Sequence, residues 1–481
     1  MLRRPPYART VPAVKLWKCS VYPQVRSLRT VGRIRICESV DPDMKGWIWM
    51  AVLATATAIV AFLSAPWSEL LDDPRHPRLD PVPVWYSAPP AKCAPRPTAE
   101  HAQLFEEAAE RAWHYFEKNT FERTGMAAAT TDYACVTIWD VGSMLAAYHS
   151  AYGLGLIGRE ELDRRLGRVL LTLREMDLYD DAAFNKSYDA RTGSMAGRDE
   201  RPTTTGFGWS STDLGRLLVW LRIIERHHPR FADDVRAIVS RLDAGRLVRD
   251  GYLRGEDLHP RTGERREYPE GRIGYEQYAA AGFALWGVEA DQALDLSANA
   301  YPVQIVGQPV LGDERGGDRL LSDPLLMYEM EMGTKPDEWR TLICALKAAQ
   351  EGRYQQTGQV TMVNEDAMPD PPYYFYYYSA YHDGKPWTVD GQGPMQGVDA
   401  PRWVSAKAAL AWHATYPSAY TERAVEAVEP AAGPGGWASG VYEGSGAIAR
   451  SVNVNTNAVI LQAALYHRQE GRPLLEHFDA P

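Results

Sequence analysis

Four carboxylates, Glu276, Asp140, Glu365 and Glu443, stand in segments rich in Trp, Tyr and Gly, each beside an apolar run. Two facing carboxyl groups can cleave a glycosidic bond. One protonates the leaving oxygen, and the other activates water or attacks the sugar. Glu276, in GYEQYAAAGFALWG, sits on the first turn of an apolar helix between Tyr275 and Tyr278. Desolvation by the rings would raise its pKa and keep it protonated as a general acid; the alternative is a carboxylate that only stabilises a helix N-terminus. Asp140, in VTIWDVGS, opens a helix behind Trp139 and suits a cap, a sugar ligand or a catalytic group. Glu365 and Asp366 precede PPYYFYYYSAYHDGKPW, which reads as a long aromatic loop, a lid or sugar platform, rather than a core strand. Glu443 lies in a Gly-rich stretch, GVYEGSGA, and suits substrate binding or base function. Asp213, in WSSTDLGR, reads most simply as part of a helix cap.

The aromatic and polar neighbours form the expected substrate-binding set: Trp139, Trp209, Tyr275, Tyr278, Tyr376, Tyr377, Trp387, Trp403, Tyr442, Arg450 and Asn455. Sugar rings offer an apolar face rimmed by hydroxyls, which Trp and Tyr match with a flat ring and a polar edge. The chain favours those residues, with 15 Trp and 26 Tyr against 10 Phe. His149, His227, His228 and His413 fall in or at the ends of helices without metal-ligand spacing. GxSxG, Walker and HExxH patterns are missing, so neither a metal nor a cofactor is implied.

These residues need a scaffold, and the chain from residue 98 onward supplies helices of two kinds. Charged amphipathic segments (99–118, 159–176, 230–246, 336–351 and 418–429) have one wet face. Between them run nearly uncharged, small-residue-rich segments at 139–154, 211–224, 275–288, 402–415 and 455–467, with a weaker one at 322–332. Helices apolar on almost every side are buried on almost every side. No convincing run of strands is visible. Outer and inner helices in alternation, about six of each, predict an all-α fold, an (α/α)6 barrel over 98–475. The loops entering the inner helices would then meet at one mouth.

Ahead of that domain the sequence reads as an address. Residues 1–45 are basic, 46–67 carry the uncharged run WIWMAVLATATAIVAFLSA, and 68–97 are Pro-rich. This pattern predicts a cytoplasmic N-terminus, a transmembrane signal anchor and an extended linker, with the domain held in the periplasm at the inner membrane. A cleaved signal peptide is the alternative, and Met44 is an alternative start. If exported, Cys93 and Cys135 could pair and leave Cys344 over; a lone buried thiol is the other reading. A net charge of −10 without long basic runs in the domain argues against a nucleic-acid partner.

The motifs WDVGSMLAAYHSAYGLGLI, WSSTDLGRLLVWLRII, IGYEQYAAAGFALWG, EDAM with PPYYFYYY, and VYE followed by NVNTNAVILQAALY resemble a bacterial domain-of-unknown-function family. That family is similar to endo-β-1,2-glucanases and to the glycoamylase-like domain of cyclic β-1,2-glucan synthases. The resemblance spans roughly residues 100–470. It implies an (α/α)6 barrel, a polysaccharide or oligosaccharide partner, and acid-assisted cleavage or transfer of a β-glucan, with Glu276 placed as the acid. Two rivals share the architecture: a non-catalytic glycan-binding or envelope-assembly protein, and a polysaccharide lyase. The lyase fits least, because the mouth loops are rich in acids and poor in His.

Overall fold

The computed structural model describes residue 93 and residues 99–315, 318–333, 337–367, 375–391 and 402–481. The basic segment, the apolar run 46–67 and nearly all of the Pro-rich stretch lie outside them. Among the described residues no helix is long and apolar enough to cross a membrane. The unit Leu79–Pro481 carries the fold.

Among the described residues twelve helices alternate in burial, and a further single turn, Ala244–Leu247, stands outside the alternation. The outer set is α1 (Ala102–Asn119), α3 (Arg159–Glu175), α5 (Ala232–Val239), α7 (Asp291–Leu294), α9 (Asp337–Thr357) and α11 (Ala419–Val428). The inner set is α2 (Ile138–Gly153), α4 (Ser211–His227), α6 (Tyr275–Ala284), α8 (Asp323–Met332), α10 (Ala406–Thr415) and α12 (Val454–Arg468). Each inner helix packs on the next, from α2 through α4, α6, α8 and α10 to α12, and α12 closes on α2. Each outer helix backs an inner one, α1 doing so against α12 and α2. The cause is compositional. On α1 only one face is buried (Phe105, Ala108, Ala109, Ala112, Trp113, Tyr115 and Phe116), whereas every residue of α10 is.

The inner helices approach closely where small residues allow it. A Cβ on Gly215 of α4 would stand 2.4 Å from Ala279 of α6, and one on Gly282 would stand 2.2 Å from the Gly215 carbonyl oxygen. Below the mouth the ring is filled by a buried ion pair, Arg216 with Glu331, both 0% exposed. Ser143, Tyr278 and Trp220 satisfy it: Arg216 Nε donates to Ser143 Oγ at 3.0 Å, and Trp220 Nε1 donates to Glu331 at 3.0 Å. Such a pair gains little net stability but tolerates no missing partner. It fixes how four inner helices meet.

Four expectations are corrected. The fold is helix-rich rather than all-α, because the connections fold into small antiparallel sheets. The aromatic run is itself a hairpin, Phe375–His382 paired with Lys385–Gly391, turning at Asp383 and Gly384 with φ of 49° and 73°. Its dense β-formers and Asp-Gly turn outweigh the prolines ahead of it. Similar ribbons, Tyr252–Leu258 with Arg265–Pro269 and Gly436–Tyr442 with Ile448–Val452, precede α6 and α12. The 230–246 segment breaks into short pieces after Val239. Finally, Cys93 pairs with Cys344 on α9, not with Cys135, which is a free thiol. A separation of 251 residues hid that pairing from any reading of spacing.

Candidate active site

The N-termini of all six inner helices meet at one end. On α2, Thr137 and Asp140 form a capping box. From α12, Asn455 Nδ2 donates to Asp140 Oδ1 at 2.7 Å and its oxygen accepts from Ser143 Oγ at 2.7 Å. Trp139 meets Tyr275 of α6 edge-on, with ring centres 5.3 Å apart. Lys407 of α10 pairs with Asp323 of α8 at 2.6 Å. Asp213, on the first turn of α4, feels the charges of Glu270, Asp140 and Arg272.

Where these ends converge, partly exposed side chains mark a candidate recess. Trp139 is the one residue of α2 that is not buried. It sits with Tyr275, Leu321 and Tyr377 in an aromatic cluster of their own. Tyr275 donates its hydroxyl proton to Glu365 at 3.1 Å. Arg272 donates to the Tyr377 hydroxyl oxygen at 2.8 Å, lies 3.6 Å from Glu365, and stacks 4.4 Å from the centre of the Tyr275 ring. Glu365 and Arg272 keep 19% and 26% of their side-chain surface open to solvent. Burial is nevertheless the largest influence on Glu365, pushing its carboxyl up against the opposing pull of Arg272. These groups touch solvent and are yet desolvated. Asp213 has the same character: part-exposed, and pushed up to about 8, first by desolvation and then by Glu270 and Asp140.

The other expected residues lie elsewhere. Glu276 is 0% exposed. Both its oxygens accept from the Arg315 guanidinium, which also grips Asp313. Burial pushes it up to about 7 even so. Glu443 is clamped by Arg353 through bonds of 2.8 and 2.9 Å and accepts from the Tyr378 hydroxyl at 2.7 Å. Asp366 accepts from Thr456, Asn453 and the Ala367 amide, so it ties strand to helix. Trp209 is buried, donating to the Arg254 carbonyl, and Tyr278 belongs to the Arg216–Glu331 plug. Trp403 is buried and pairs through its backbone with Tyr442, while Trp387 packs under Arg353. Arg450 is exposed on the strand Ile448–Val452. Tyr376 shares the strand of Tyr377, and its side chain lies outside the described atoms.

Reading by sequence passed over Glu270 and Arg272, and took Asp213 as a cap. Glu270 accepts from Ser210 Oγ at 3.1 Å and from the Thr212 amide, so it is the acid that caps α4 from a distance. The pattern PEGRIGYE held the signal: two further charged residues in the same mouth loop as Glu276. Among the described residues no cluster of three or more His, Cys, Asp or Glu is arranged to hold a metal.

A family pattern for a protein of unknown function, DUF3131, matches residues 107–470. The chain belongs to the DUF3131 family. No curated protein matches it in sequence. Among solved structures it is similar to a candidate glucoamylase from Bacteroides uniformis, with a TM-score of 0.58 and 12% identity over 80% of this chain and 99% of that one. It is also similar to an endo-β-1,2-glucanase from Chitinophaga pinensis in complex with sophorotriose and glucose (TM-score 0.53, 14% identity, 79% and 97% covered). A third is the endo-β-1,2-glucanase of Talaromyces funiculosus with sophorose (0.50, 11%, 76% and 84%). The DUF3131 chain thus shares a helix-rich, glycosidase-like fold.

Proposed function

We propose that this DUF3131 protein is a glycoside hydrolase or transglycosylase acting on a β-glucan, with β-1,2-linked glucan as the favoured substrate. The observation that carries the reading is the cluster at the converging helix ends, where a partly exposed Trp139 meets Tyr275 and Tyr377, and the part-exposed carboxyls of Glu365 and Asp213 share Arg272 as a neighbouring charge. An aromatic face stacks the apolar side of a glucose ring, and the carboxyls act on the bond beside it. Glu365 is the group that activates the incoming water or sugar hydroxyl, or attacks directly. Asp140 and Asn455 hold the helix end behind Trp139. Glu276 and Glu443, each gripped by an arginine, brace the mouth. The sugars in complex with two similar structures, sophorotriose with glucose in one and sophorose in the other, support the choice of linkage. The periplasmic, membrane-anchored placement is part of the same reading, supported by the Cys93–Cys344 disulfide, which persists in oxidising compartments.

The test is to incubate the protein with β-1,2-, β-1,3- and β-1,4-glucans beside a Glu365→Gln variant and separate the product sugars. We expect products from one glucan, with the rate reduced on the order of 10²–10⁴-fold in the variant. Binding of a glucan without products would replace this reading with a non-catalytic glycan-binding protein.

A further inference from the structure

We infer that Asp213 is the proton donor of the mouth and that Glu270 makes it so by taking over the capping of α4. The inference rests on the glycosidase reading above and names the acid which that reading leaves open.

Three carboxylates, Asp140, Asp213 and Glu270, crowd near one guanidinium, Arg272. Three like charges beside a single opposite one favour retaining a proton on the member with the fewest donors. Asp140 accepts an N–H from the Thr137 backbone at 2.8 Å and another from Asn455 at 2.7 Å. Glu270 accepts from the Thr212 amide and Ser210 Oγ. Asp213 is left with a contact to Ser210 alone; its side chain is partly exposed and lies near Arg272, the cation that also neighbours Glu365. An aspartate on a helix's first turn would ordinarily stay ionised near that N-terminal dipole. Here the amide at Thr212 is already engaged by an acid from a loop 58 residues further along the chain. The raised pKa of Asp213, about 8, agrees with that geometry.

In the step, the C1–O bond of the glucoside breaks and its electron pair goes to the oxygen, which takes the Asp213 proton. Water adds to C1 and gives its proton to Glu365. Asp213 ends ionised and Glu365 protonated, and solvent restores both.

Two substrates separate proton donation from mere support. β-1,2-glucan needs a protonated leaving oxygen; 2,4-dinitrophenyl β-sophoroside does not. With the full-length protein, Asp213→Asn should slow glucan cleavage on the order of 10²–10⁴-fold and aryl glycoside cleavage by less than about tenfold. Equal losses on both substrates, or no loss on glucan, would overturn the assignment. If the wild type cleaves no β-glucan, the glycosidase reading falls and the donor falls with it. Two further readouts cover a variant that folds poorly or a substrate poorly matched. Wild-type kcat should fall as pH rises through about 8, and a flat alkaline profile would contradict a donor held there. The folded-state pKa lies above the unfolded value near 3.9. The stability that proton lends is therefore complete below about pH 4 and is lost as pH climbs toward 8. The melting temperature of Asp213→Asn should gain on wild type across that window; a constant difference would mean that Asp213 holds no proton.

Discussion

Glu276 and Asp213 occupy equivalent places, the first turns of neighbouring inner helices, and their surroundings divide their work. Glu276 is sealed and bound at both oxygens by Arg315. Asp213 is partly exposed and has no arginine bound to it. Glu276→Gln should therefore retain most of the turnover while losing about 1–3 kcal/mol of stability as the buried guanidinium loses a partner. Turnover collapsing with stability unchanged would return the acid's role to Glu276. The sequence places both acids at inner-helix starts, and that much was legible. It conceals which one a distant arginine grips, since Arg315 lies 39 residues from Glu276. The same holds for Glu270, whose capping of α4 turns Asp213 from a plain cap into a candidate acid. For Asp140 the cap was one of three open readings, and Thr-x-x-Asp, a local pattern, is the clue that favours it.

At the scale of elements, small residues set the distance between inner helices. Gly215→Ala would place a methyl 2.4 Å from Ala279, where backbone and Cβ both resist. We expect a loss of about 1–3 kcal/mol, read as a lower melting temperature; an unchanged value would mean that α4 and α6 are not packed as closely as described. Their richness in small, uncharged residues is why the inner helices were readable within a few residues of their ends. The strands were harder. Most are short ribbons leading into helices, too brief to show alternation. The longest, Phe375–His382, is aromatic on both faces, so its period of two is masked by composition. The Asp383–Gly384 turn was the local clue that should have prevailed.

For the whole molecule, six parallel inner helices bring their N-termini, and their partial positive charge, to one rim. That favours the carboxylates gathered there, and the Arg216–Glu331 plug closes the ring beneath them. The alternation of helix types foretold the ring and the single mouth. The disulfide partners were not foretold, because pairing of Cys93 with Cys344 depends on where α9 lies rather than on spacing. The pairing fastens the end of the Pro-rich stretch to an outer helix, and closing so long a loop stabilises the fold by about 2–4 kcal/mol.

The measurement closest to the central claim is a crystal structure of the Glu365→Gln variant with a β-1,2-gluco-oligosaccharide. The expected result is a glucose ring against Trp139, its glycosidic oxygen facing Asp213 and its anomeric carbon beside position 365. A sugar bound away from this recess, or a recess left empty at concentrations the wild type turns over, would contradict it.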